Sequence, residues 1–174
     1  AEKQMVELLA TLAALKDTQL IFTLPNADTY GRALIKLVKK FVALQSNARA
    51  YTSLGQLRYL SCIAQVDGVV GNSSSGLAEV PSFKKGTINI GDRQRGRLQA
   101  ESVINCEPMR DSIAAALAKL YSSDFQMSLH QVTNPYGEGG ASEKVVSALK
   151  NTPISDTVKK TFYDLSLDRE NGHK

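Results

Sequence analysis

A chain of 174 residues, 43% apolar and 22% charged, is long enough to bury the core of one globular domain. A net charge of +4 with aromatics at 6% and no recognised motif excludes nucleic acid as the main partner. No apolar run approaches the roughly 20 residues that span a bilayer, and nothing resembles a signal peptide, so a cytoplasmic protein without membrane contact is expected.

Met5 to Leu15 carries apolar residues at helical spacing and reads as the first helix. Gln19 to Leu24 is a nearly continuous apolar run, the signature of a parallel strand covered on both faces. The turn Pro25 to Asp28 ends it, and the next helix follows from Gly31 to Leu44. A strand at Ala48 to Leu54, a helix at Gly55 to Gln65 and a brief strand at Gly68 to Val70 complete the first half. Strands at Thr87 to Ile90 and Ser102 to Asn105 precede an Ala-rich helix from Met109 to Tyr121. Ser122 to Gly140 reads as irregular, its glycine-rich end serving as a turn into a helix at Ala141 to Lys150. A last short helix is expected at Ser155 to Tyr163, and Arg169 to Lys174 is expected to fray.

Strands alternating with helices predict one α/β domain over residues 1–174, a Rossmann-like parallel sheet flanked by helices. The chain opens on a helix, without the strand that a doubly wound sheet normally places first, which suggests part of a longer protein.

The richest stretch is Gly71 to Arg97. It holds a serine turn (Gly71, Asn72, Ser73, Ser74, Ser75, Gly76), a short helical run carrying Glu79, the strand at Thr87 and a Gly-Asp-Arg loop. A helix N-terminus offers unpaired N–H groups and a positive dipole end to a phosphate. Arg93 is placed to clamp the same anion, because guanidinium and phosphate match bidentately. The same turn would serve equally as an ordinary helix cap. Ser75 has no His or Asp arrangement for a nucleophile, and His130 lacks a chemical partner. Cys62 and Cys106 form neither a disulfide framework nor a metal-ligand spacing and read as reduced, buried thiols. Neither a cofactor nor a metal is expected.

Taken together, several segments make the chain resemble the UDP-N-acetylglucosamine 2-epimerases, in the hydrolysing branch of sialic-acid precursor synthesis. They are PNAD at Pro25, GNSSSG at Gly71, EVPSF at Glu79, TINIGDRQRGR at Thr87, SVINCE at Ser102 and NPYGEGGAS at Asn134. The resemblance runs from about Met5 to Lys150 and covers the second, nucleotide-binding domain of a two-domain glycosyltransferase-B fold.

What the resemblance implies is specific. Ser73 and Ser74 would hold a diphosphate, Glu79 the ribose hydroxyls, and Arg93 the charge on the nucleotide or leaving group. Asn26 and the backbone at Ser53 and Leu54 would lie near the nucleoside. Lys84 and Lys85 depart from smaller residues common in the family. The family reaction eliminates UDP from UDP-N-acetylglucosamine and adds water to the resulting glycal, giving N-acetylmannosamine.

The implied partners are UDP, a UDP-sugar and the missing N-terminal domain, with a homo-oligomer of the full-length protein left open. The catalytic acid and base would lie in that other domain, so the fragment alone is expected to be inactive. UDP-diacetylbacillosamine as substrate, a glycosyltransferase donor domain and a non-catalytic nucleotide-binding module are the alternatives.

Overall fold

A computed structural model describes residues 1–25 and 29–152. It divides into two compact units, Ala1–Glu138 and Gly139–Lys174.

In the first unit, α1 (Glu2–Leu12), β1 (Leu20–Thr23), α2 (Thr29–Leu44), β2 (Ala48–Tyr51), α3 (Gly55–Gln65) and β3 (Gly68–Gly71) alternate as expected. The single turn α4 (Ser75–Ala78) and a 3-10 turn (Val80–Phe83) lead into β4 (Gly86–Ile90), β5 (Val103–Cys106) and α5 (Arg110–Leu120). All strand pairing is parallel: β1 with β2, and β3 with β4 with β5. This is the Rossmann-like α/β arrangement. Its sheet, however, is in two pieces, and no ladder joins β1 to β3 among the described residues.

One core underlies both pieces. Ile88 and Ile90 of β4, Ile104 of β5 and Ile113, Leu117 and Leu120 of α5 are buried together with Leu12 of α1. Leu20 and Phe22 of β1 pack against the same cluster, and Phe22 meets Phe41 of α2 edge-on at 5.7 Å between ring centroids. Each such side chain contributes about 1.5–3 kcal/mol when fully buried. Asn47 fastens the α1–β1 connection, donating from Nδ2 to the carbonyl oxygens of Leu15 and Thr18 at 3.2 and 2.7 Å.

Three expectations need correction. Ser122 to Gly140 is not irregular throughout: α6 (Ser123–Ser128) and a 3-10 turn (Leu129–Gln131) occupy its first half. Ser122 caps α6 by accepting from the Phe125 N–H, and Phe125 and Leu129, one turn apart, are buried in the core. The helical run expected to carry Glu79 is the single turn α4, and Glu79 stands at its C-cap. Pro81 sets the tighter 3-10 turn that follows, and so limits α4 to one turn. Cys62 and Cys106 are free, as expected, but half-buried rather than buried.

In the second unit, α7 (Ala141–Asn151) starts after Gly140, whose φ of 75° suits glycine. The expected helix at residues 155–163 and the tail at 169–174 lie outside the described residues.

Candidate functional site

The serine turn leaves β3 at Gly71, at the carboxyl end of a parallel strand, where ligands of open α/β sheets bind. Ser74 is the N-cap residue of α4 but makes no side-chain cap bond. Ser73 Oγ accepts a long hydrogen bond, 3.4 Å, from the Ser75 N–H. Both hydroxyls are exposed, and the N–H groups of Ser73 and Ser74 take no partner among the described residues. Four residues of helix supply only a small dipole. The anion-binding capacity of this turn therefore rests on N–H and O–H donors and Arg93 more than on a macrodipole.

Arg93 comes to the turn through Asn72. Its Nη1 lies 3.4 Å from Asn72 Oδ1, and its neighbour Gln94 donates from Nε2 to the Asn72 carbonyl oxygen at 2.7 Å. Gln94 is 3% exposed, so this bond anchors the loop after β4 to the serine turn from inside. The guanidinium itself remains exposed. Ser73, Ser74 and Arg93 thus share one surface.

Glu79 reaches the same turn from below. Its carboxylate accepts from the Ser75 hydroxyl, which is also 2.7 Å from Tyr59 Oη on α3. Ser75 is a positioning group for Glu79, and Tyr59 ties α3 to α4. Gly76 lies against Thr87, whose hydroxyl donates to the Gly76 carbonyl at 2.8 Å. A Cβ on Gly76 would stand 2.7 Å from the Thr87 methyl, so only glycine fits without displacement.

Ser53 and Leu54 sit at the entrance to α3. Ser53 Oγ accepts from the Gly55 N–H at 3.1 Å, and Leu54 is the half-buried N-cap residue. No described hydrogen bond joins either to the serine turn; the link between these regions is Tyr59. Asn26 lies outside the described residues.

Gln94 and Tyr59 were given no role in the sequence, and Asn72, Ser75 and Asn134, though named there, were given no linking role. Asn134 Nδ2 donates to the Ala78 carbonyl and to Ser82 Oγ at 2.8 and 2.7 Å. Tyr136, two residues on, donates from Oη to the Leu98 carbonyl at 3.1 Å. The NPYG segment therefore ties the end of α4 and the 3-10 turn after it to the loop at Leu98, and is not merely a turn into the next helix. Lys84 adds to it by donating to the Val132 carbonyl.

Beside this surface a cleft of about 520 Å³ opens at the carboxyl ends of β4 and β5. Asn89, Asp92, Arg95, Asn105, Cys106 and Glu107 are among its lining residues, and none of Ser73, Ser74, Glu79 or Arg93 is. Burial, and secondly the charge of Glu107, push the Cys106 thiol above its ordinary value. Among the described residues no cluster of three or more His, Cys, Asp or Glu could hold a metal ion, and no helix is long and apolar enough to cross a membrane.

Residues 1–150 match the UDP-N-acetylglucosamine 2-epimerase family. The chain belongs to that family. It is 37% identical over 166 residues to the GDP/UDP-N,N'-diacetylbacillosamine 2-epimerase (hydrolyzing) of Campylobacter jejuni, covering 94% of this chain and 43% of the relative. It is 36% identical over 164 residues to the polysialic acid biosynthesis protein P7 of Escherichia coli, covering 93% and 42%. The chain therefore spans less than half the length of these curated relatives.

The fold is shared with solved structures. S. aureus MnaA, solved with UDP, superposes with a TM-score of 0.68 at 17% identity, over 86% of this chain and 40% of that one. The UDP-GlcNAc 2-epimerase of Methanocaldococcus jannaschii, in complex with UDP-GlcNAc and UDP, gives 0.66 at 14% identity, over 86% and 41%.

Proposed function

We propose that this chain is the UDP-binding domain of a hydrolysing UDP-N-acetylglucosamine 2-epimerase, acting in the cytoplasm. The observation that carries the reading is the junction at Asn72, which joins the exposed serine turn to the loop bearing Arg93 in a chain of this family. Ser73 and Ser74 supply neutral donors to the diphosphate, and Arg93 supplies the charge. Elimination places extra negative charge on the departing UDP, and donors fixed beforehand stabilise it without reorganising. Glu79, held by Ser75, accepts from the ribose hydroxyls. The nucleoside is assigned to Asn26 and to the backbone at Ser53 and Leu54.

A base for the C2 proton and an acid on the sugar would come from the part of the longer protein outside this chain. The fragment alone then binds UDP without turning over a UDP-sugar. No cofactor or metal enters the scheme. UDP-N,N'-diacetylbacillosamine is the second substrate reading, favoured by the name of the Campylobacter jejuni relative.

The test is UDP release from UDP-N-acetylglucosamine and from UDP-N,N'-diacetylbacillosamine, by this chain and by the longer protein. Turnover of one sugar by the longer protein alone supports the reading and identifies the substrate. Sustained turnover by this chain, or none of either sugar by the longer protein, contradicts it.

A further inference from the structure

Ser75 opens α4 and Glu79 closes it, one helical turn apart on the same face, so a short hydroxyl side chain reaches the carboxylate. Ser75 Oγ donates to Glu79 Oε2 and lies 2.7 Å from Tyr59 Oη. A hydroxyl carries one proton, and a carboxylate only accepts. With the Ser75 proton committed to Glu79, the contact with Tyr59 runs in one direction: Tyr59 donates and Ser75 accepts. The three side chains form a directed relay, from Tyr59 through Ser75 to Glu79, that ends on a negative charge.

The relay divides the labour of the serine turn. Ser73 and Ser74 are exposed, whereas Ser75, Glu79 and Tyr59 are each half-buried. Two hydroxyls thus keep their protons for an anion at the surface, and the third spends its proton on Glu79. Of the carboxylate, Oε2 is engaged, and Oε1 takes no hydrogen bond among the described residues. A hydroxyl that accepts one hydrogen bond becomes a better donor in the next. Tyr59 therefore strengthens the hold on a carboxylate that it does not touch. It does so from α3, whose entrance carries Ser53 and Leu54, so the relay also fixes Glu79 relative to that entrance.

We infer that Tyr59 is a positioning residue that sets the selectivity of this site for a vicinal diol, given the ribose role proposed for Glu79, on which it rests. Tyr59 fixes the Ser75 hydroxyl, Ser75 fixes one carboxylate oxygen, and Oε1 is left to accept from the two ribose hydroxyls. Without the Tyr59 donor the Ser75 hydroxyl turns more freely and the long Glu79 side chain regains rotamers that binding must then freeze. The cost falls on ligands that carry the diol and on no others.

Calorimetric titration of this chain with UDP and with its 2',3'-dideoxy analogue isolates the ribose hydroxyls. The parent should prefer UDP, and Glu79→Ala should abolish the preference. Tyr59→Phe keeps the ring and deletes only the donor. It should lower the preference by about 3- to 10-fold, the worth of one hydrogen bond, through weaker UDP binding alone, with the dideoxy analogue bound as by the parent. Ser75→Ala should lower the preference at least as far, and adding Tyr59→Phe to it should lower it no further, since the relay is already cut. A Tyr59→Phe variant with the parent's preference, beside a Glu79→Ala variant that has lost it, would overturn the relay and leave the ribose reading standing. Equal weakening of both nucleotides in Tyr59→Phe would also overturn it, by reducing Tyr59 to a tie between α3 and α4, as would a further loss in the Ser75→Ala background. A parent that binds neither nucleotide, or does not distinguish them, fails at the ribose reading instead, and the relay falls with it.

Discussion

Gln94 donates from Nε2 to the carbonyl oxygen of Asn72 at 2.7 Å, and it does so from a side chain that is 3% exposed. This one bond joins the loop carrying Arg93 to the turn carrying Ser73 and Ser74. Gln94→Ala leaves the carbonyl without its donor and opens a small void. We expect a loss of about 1–3 kcal/mol of stability, read as a lower melting temperature. UDP should bind more weakly to the variant at a temperature where it remains folded. Unchanged stability and unchanged affinity together would show that Gln94 does not position the loop.

Gly76→Ala should cost about 1–3 kcal/mol through overpacking against Thr87. Thr87→Ser removes the offending methyl while keeping the hydroxyl that donates to the Gly76 carbonyl. The double variant should therefore recover part of the loss. Additive destabilisation in chemical denaturation would mean that the two residues do not clash.

Glu79 and Ser75 act together in the proposed site. Glu79→Ala should weaken UDP binding more than inorganic pyrophosphate binding, because only the nucleotide offers ribose hydroxyls. Ser75→Ala should reproduce a smaller part of the same selectivity by freeing the carboxylate. Calorimetric titration with both ligands measures it, and an equal loss for UDP and pyrophosphate would remove Glu79 from the ribose.

The Cys106 thiol is held above its ordinary value by burial and then by Glu107. A group protonated more firmly in the folded state stabilises that state below its unfolded value, near 9.0, and loses the contribution as pH rises through the folded value. Stability should decline above pH 9 by a term that Cys106→Ser abolishes. Glu107→Gln removes a raising charge and should speed alkylation of Cys106 at a fixed pH near 8.5. Slower alkylation in that variant would reverse the assigned sign.

The strands and the serine turn were legible because their signals are local. LIFT, TINI and VINC are short apolar runs, and GNSSSG announces a turn by composition alone. α6 was hidden because SDFQMS is mostly polar and buries little besides Phe125, so no amphipathic period stands out. The roles of Gln94, Tyr59 and Asn134 have no sequence signal of any period. Each is a hydrogen bond to a residue at least 16 positions away, fixed by the packed fold. That β1 and β3 share no ladder among the described residues had no sequence signal.

The central claim is that the Ser73 turn and Arg93 form a diphosphate site. Calorimetric titration of this chain with UDP, uridine and pyrophosphate, repeated with Arg93→Ala, tests it most directly. UDP should bind with a Kd on the order of micromolar to millimolar, uridine much more weakly, and Arg93→Ala should weaken UDP and flatten its salt dependence. Equal binding of uridine and UDP, or a folded Arg93→Ala variant that binds UDP like the parent, would contradict the claim.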